Sequence, residues 1–107
     1  MPATYRVDKF TVPDGVRDEF WMHIRRTHSI LRKQHGFVDD VLLEQHSGTG
    51  HFAIVTIVQW SSAADLAAAK VPVEQAHREA AFVPAEFIER HGIVADMGNY
   101  EAVQPAA

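Results

Sequence analysis

The segment His51 to Trp60 is apolar on both faces of an extended chain. Successive side chains of a strand point to opposite sides. That places Phe52, Ile54, Val58 and Trp60 on one face and Ala53, Val55 and Ile57 on the other. The segment Phe37 to His46 behaves the same way, with Phe37, Val41 and Leu43 on one face and Val38 and Leu42 on the other. An antiparallel sheet that is wet on one side alternates apolar with polar residues. A sheet holding these two strands must therefore be covered twice.

The rest of the chain supplies one cover. Thr4 to Val12 is a first strand rich in β-formers (Tyr5, Val7, Phe10, Val12), stopped by Pro13. Asp14 stands where a helix N-cap belongs. A helix is expected from about Gly15 to Gln34, with the stripe Val16, Phe20, Ile24, Thr27 and Leu31 at spacings of three and four and Gly36 as its C′ residue. Ser47-Gly48-Thr49-Gly50 reads as a hairpin loop. Ser61 or Ser62 caps a short helix, Ala63 to Lys70. Pro72 opens a further helix from Val73 to about Phe82, and Pro84 opens another short segment, Ala85 to His91. Gly92 ends it, and Ile93 to Val103 is the last strand.

The order is β-α-β-β-α-β, an α+β, ferredoxin-like fold with an antiparallel sheet. Right-handed crossovers place all helices on one face. No segment remains for the other face, so a second copy is the economical cover, and a homodimer forming a dimeric α+β barrel is expected. With 107 residues the chain reads as a single domain, with its core at about 4–103.

Composition narrows the partners. A net charge of −4 does not suit the phosphate backbone of nucleic acid. The basic cluster Arg25, Arg26, Arg32 and Lys33 reads as the wet face of a helix. No cysteine is present, which excludes disulfides and thiolate chemistry and agrees with a reducing compartment. The first residues hold no apolar export segment, and no apolar run approaches the ~20 residues of a membrane span. A cytoplasmic protein that binds neither membrane nor nucleic acid is expected.

Familiar catalytic motifs are missing. Gly48-Thr49-Gly50 lies in a hairpin without a following lysine, no serine stands in a Gly-x-Ser-x-Gly elbow, and the neighbours Asp39 and Asp40 point to opposite faces of a strand. Seven histidines are present, but His23 and His28 are five apart and His28 and His35 seven apart, which misses the pairing a helix needs to hold a metal. His46 and His51 flank the hairpin as surface residues. No metal site is expected.

Three places can carry chemistry. Trp60, at the end of its strand, is either plain core or the floor of a pocket for a flat ligand. His77 can titrate near neutral pH and Arg78 can bind an oxyanion, unless both belong to a solvated helix face. Trp21 and His28 flank the stripe of the first helix and either line a cavity or pack at the edge of the core.

The runs Phe10-Thr11-Val12-Pro13-Asp14-Gly15, Gly36-Phe37-Val38, Leu42-Leu43 and Val58-Gln59-Trp60-Ser61-Ser62 resemble the antibiotic biosynthesis monooxygenase family. The resemblance extends from about Tyr5 to Val103 and implies a dimer of ferredoxin-like chains with a pocket between sheet and helices. One branch of that family holds cofactor-free oxygenases of polycyclic anthrones. By that resemblance Trp60 matches the branch's tryptophan and Arg78 its arginine, whereas Thr56 stands at an asparagine position and Leu66 at a tyrosine position. A second branch degrades haem. By that resemblance His77 matches its iron ligand, Asp8 falls at its asparagine, and Ala68 or Ala69 at its tryptophan.

The reaction implied first is cofactor-independent monooxygenation of a flat aromatic or quinol-type small molecule by O₂. Trp60, His77 and Arg78 are its expected catalytic residues, and Trp21, Ile24, His28, Thr56 and Leu66 its substrate-binding ones. Haem bound through His77 is the alternative cofactor reading, and a non-catalytic ligand-binding dimer the alternative outside enzymes.

Overall fold

The computed structural model describes residues 2–105. Its strands are β1 (Thr4–Thr11), β2 (Phe37–Glu44), β3 (Ile54–Trp60) and β4 (Val94–Tyr100), and its helices α1 (Arg17–Leu31), α2 (Ala63–Glu79) and α3 (Pro84–Arg90). The sheet runs β2-β3-β1-β4, with every neighbouring pair antiparallel. This is the ferredoxin-like arrangement expected from the order of elements. Among the described residues no helix is long and apolar enough to cross a membrane.

One face of the sheet is buried under the helices. Phe10, Val12 and Ile54 pack against Phe20 of α1, Phe87 of α3 and Ile93. Val58 and Trp60 pack against Leu66 and Ala69 of α2, with Leu31 and Phe37 at the margin. The other face keeps its apolar residues in the open. Tyr5, Val7, Val55 and Ile57 are half-buried, and Val41, Leu43, Val94 and Tyr100 are exposed. The register joins them across all four strands, setting Val41 and Val7 beside Ile57 and Tyr100 beside Tyr5.

Three local expectations give way. The register of β2 shifts between Phe37 and Asp39. One extra residue reverses which face the remainder presents. Phe37 therefore lies edge-on to Trp60, 5.9 Å between ring centroids at 87°, while Val41 and Leu43 face outward. Asp14 opens a short 3-10 turn, Asp14–Val16, and its side chain caps nothing. Gly36 is not the residue directly after α1: it follows a further turn and takes the left-handed φ of +84°, where a Cβ would also run into the Asp65 side chain.

The largest difference is that α2 runs unbroken through Pro72. Proline removes one helical hydrogen bond and crowds the preceding turn, a cost of about 3 kcal/mol. Packing offsets it. Leu66, Ala69, Val73 and His77 recur at spacings of three and four on one side of the helix and all line the space above the sheet. Ser62 caps the start, its Oγ accepting from the Asp65 N–H at 3.2 Å.

Candidate functional site

Alternation along β1 sends Arg6 and Asp8 to the same face as the buried Phe10. The register sets Asp8 opposite Thr56 and Arg6 opposite Val58. Two charged groups thus stand on the helix-covered side of the sheet, joined by an Arg6 Nε to Asp8 Oδ1 contact of 2.6 Å. The helices do not close over them completely. A cavity of about 260 Å³ remains, floored by Thr56, Val58 and Trp60 of β3 and walled by Ile24, Thr27, His28 and Leu31 of α1 and by α2 from Leu66 to His77. A second cavity of about 210 Å³ shares Arg6, Asp8, Ile24, Thr27 and His77 with the first and continues to the aromatic rings of Phe20, Phe82 and Phe87.

His77 stands at the junction. Its Nε2 lies 3.3 Å from Thr27 Oγ1, which fixes the ring from the facing helix. Phe82 meets it edge-on, 5.3 Å between centroids, and stacks flat against His23 at 3.8 Å. Burial pushes the His77 pKa below its ordinary value of 6.5; the nearby His23 and Arg26 push the same way and only Glu74 opposes. The ring is therefore neutral at pH 7 and has a lone pair to use.

A second polar cluster ties α1 to β2. His28 Nδ1 meets Asp40 Oδ2 at 2.9 Å, and Arg32 reaches the same carboxylate oxygen at 2.9 Å. Burial pushes Asp40 up, but the hydrogen bonds from His28 and Arg32 and their charges outweigh it and hold the carboxyl below the usual range. Among the described residues no group of three or more His, Asp or Glu side chains is placed to hold a metal ion.

Of the residues singled out from the sequence, Trp60, His77, Ile24, His28, Thr56 and Leu66 all line the first cavity. Arg78 and Trp21 do not. Arg78 is exposed, about 100° around α2 from His77. The Trp21 indole N–H donates to Glu44 Oε1 at 3.0 Å, and the Arg25 guanidinium covers its ring at 5.6 Å. Four polar residues of the cavity escape the sequence reading as site residues: Arg6, Thr27, Lys70 and Glu74. Asp8, flagged there only through the haem-degrading branch, joins them. The signal for Arg6 and Asp8 is their shared parity with Phe10 and Val12 on one strand.

No protein-family model matches the chain, and no curated protein matches it in sequence. Solved structures do match in fold. SnoaB, a cofactor-independent oxygenase from Streptomyces nogalater, is 24% identical over 98% of this chain and 97% of its own, with a TM-score of 0.67. A MhuD variant with two manganese protoporphyrin IX molecules per active site is 18% identical over 97% of this chain and 98% of its own, with a TM-score of 0.70. A Nitrosomonas europaea protein provisionally assigned as an antibiotic biosynthesis monooxygenase is 14% identical over 100% of this chain and 97% of its own, with a TM-score of 0.67. The fold implied by the resemblance to antibiotic biosynthesis monooxygenases is the fold these three share with this chain.

Proposed function

We propose that this chain is a cofactor-independent monooxygenase that oxidises a flat aromatic or quinol-type molecule with O₂. The feature that carries this reading is His77, its pKa lowered by burial, at the junction of two cavities that also hold the Arg6 guanidinium. The cofactor-free oxygenase among the similar folds supports it. With an anthrone as substrate, His77 takes a proton from the activated CH₂. The developing oxyanion on the ring carbonyl faces Arg6, and Trp60 supports the ring plane. The anion passes one electron to O₂, and the two radicals join at that carbon as a peroxide. His77 returns its proton, and loss of water leaves a carbonyl. One O₂ is consumed per quinone, its second oxygen leaving as water.

In this scheme Arg6 takes the part that the sequence offered to Arg78. Arg6→Met lowers turnover of an anthrone by about 10²-fold, the scale of losing one charge-stabilising donor. Arg78→Ala keeps full turnover. Steady-state rates on the two variants check both, and equal losses would return Arg78 to the mechanism.

Haem bound through His77 is the second reading. It is favoured by the position of the imidazole where two cavities adjoin, and by the protoporphyrin-bound neighbour. Each cavity alone is smaller than the ~300 Å³ at which ligand pockets usually begin, so the two must merge, and Nε2 must exchange Thr27 for iron. Arg6 and Lys70 would meet the propionates, and bound haem would supply the redox chemistry. An absorbance titration separates the readings. The first expects no Soret band that depends on His77; tight one-to-one binding, abolished in His77→Ala, would put haem first.

The outer face of the sheet supports a homodimer as the working unit. Its apolar residues span four strands, and a copy of the same face is self-complementary. Ile57, at the centre of the patch, is the point to probe. Ile57→Lys places a charge in the interface, and light scattering is expected to fall from a dimer mass to a monomer mass. A monomeric wild type would remove the second copy from the account.

A further inference from the structure

The His28–Asp40 pair is more than a tie between α1 and β2. His28 is buried, with 5% of its side chain exposed, yet it lines the first cavity. Asp40, with 9% of its side chain exposed, holds the imidazole by Nδ1, and Arg32 fixes the carboxylate through both of its oxygens. An ionised carboxylate only accepts hydrogen bonds, so Nδ1 must carry the proton. That assignment fixes the tautomer of the neutral ring, in which Nε2 is the lone-pair acceptor. The lining around His28 is otherwise largely apolar, with Ile24 and Leu31 one turn before and after it on α1 and Val58 and Trp60 on the floor; Thr27 faces His77, and Thr56 is the hydroxyl of the floor. A polar ligand group reaching His28 meets Nε2, since Nδ1 is already paired with Asp40. An acceptor there selects a donor, and on a flat aromatic molecule that donor is a ring hydroxyl.

We infer that the Asp40–His28 pair is a hydroxyl-reading subsite: His28 Nε2 accepts from, and shares the proton of, a phenolic group on the bound aromatic molecule, with Asp40 as its positioning residue. This deepens the reading of the cavity given above and rests on it for the flat aromatic body of the ligand. It divides the labour between two histidines. His77 works at the reacting carbon, and His28 holds the phenol that orients the ring. The preferred ligands are hydroxylated polycyclic aromatics rather than bare ones.

The test is binding, not turnover, so it survives a failure to find the substrate. The probes are a monohydroxylated anthraquinone, its hydroxyl away from the carbonyls, and the parent anthraquinone, each titrated by quenching of tryptophan fluorescence. The wild type is expected to bind the hydroxylated probe at least about tenfold more tightly, the scale of a hydrogen bond within a charged pair. The bound probe should show the red-shifted absorbance of a phenol giving up its proton. Both effects should vanish in His28→Phe, which keeps the packing. Asp40→Asn can donate to Nδ1 and reverse the tautomer, so it should lose the red shift while still binding the parent. Circular dichroism confirms that the variants are folded, and should His28→Phe fail to fold, His28→Leu replaces it. The same hydroxyl preference in folded His28 and Asp40 variants would overturn the subsite and leave a purely structural pair. No binding of either probe by the wild type would overturn the subsite together with the flat-ligand reading. Normal discrimination without any oxygenation would leave the subsite standing and remove the reaction.

Discussion

Replacing His77 with Gln lowers oxygenation of an anthrone by 10² to 10⁴-fold, the range for losing a positioned general base, with little change in thermal stability. The imidazole lies at the junction of the two cavities, makes one long hydrogen bond, to Thr27, and meets only the edge of Phe82, so glutamine fills its space without opening the core. The pH profile identifies the same group. A base works in its deprotonated form, and burial sets the His77 pKa below 6.5. The rate therefore falls with acid at a lower pH than an ordinary histidine would give. Stability follows the same sign. Below pH 6.5 the unfolded chain binds the His77 proton more readily than the folded one, so the neutral ring's contribution is lost as pH falls from there to the folded pKa. A wild-type rate that already halves well above pH 6.5 would assign the base elsewhere.

Trp60→Ala is expected to have the largest effect on stability. Trp60 is 2% exposed and joins Val58, Leu66, Ala69 and Phe37 at one end of the core. Removing a large buried aromatic costs about 3–5 kcal/mol. At about 4–8 °C per kcal/mol for a domain near this size, the melting temperature falls by more than 10 °C. The same change removes part of the cavity floor, so affinity for a planar ligand is expected to fall as well. Trp60→Phe keeps the edge-to-face contact with Phe37 in part and loses much less. A small calorimetric shift in Trp60→Ala would mean that the floor is not packed as described.

The parts of the site carried by β3 were legible in the sequence because its alternation is unbroken. Thr56, Val58 and Trp60 share a face whichever neighbour pairs with them. Ile24 and His28 were legible from the stripe of the first helix. The second helix was legible only in part, because Pro72 reads as the start of a further helix after Lys70. Breaking the helix at Pro72 discards the phase that links Leu66 and Ala69 to Val73 and His77. With that phase kept, His77 points inward and Arg78 outward. Trp21 was misplaced for a related reason: a residue flanking an apolar stripe can turn either way, and here Glu44 captures its indole. Arg6 and Asp8 were hidden by chemistry rather than by geometry. Charged residues on a strand suggest a wet face, and only the buried Phe10 at the same parity reveals that these two lie beneath the helices. The bulge at Val38 could not be read at all, since one inserted residue leaves no mark on composition.

The measurement that bears most directly on the central claim is oxygen uptake by the purified protein given a tricyclic anthrone, with no metal, flavin or haem added. One O₂ is expected to be consumed for each quinone formed, at a rate that His77→Gln lowers by about 10² to 10⁴-fold and Arg78→Ala leaves intact. No uptake above the spontaneous rate, from protein that binds the flat probe tightly, would contradict that claim and leave a cavity that holds its ligand without oxidising it.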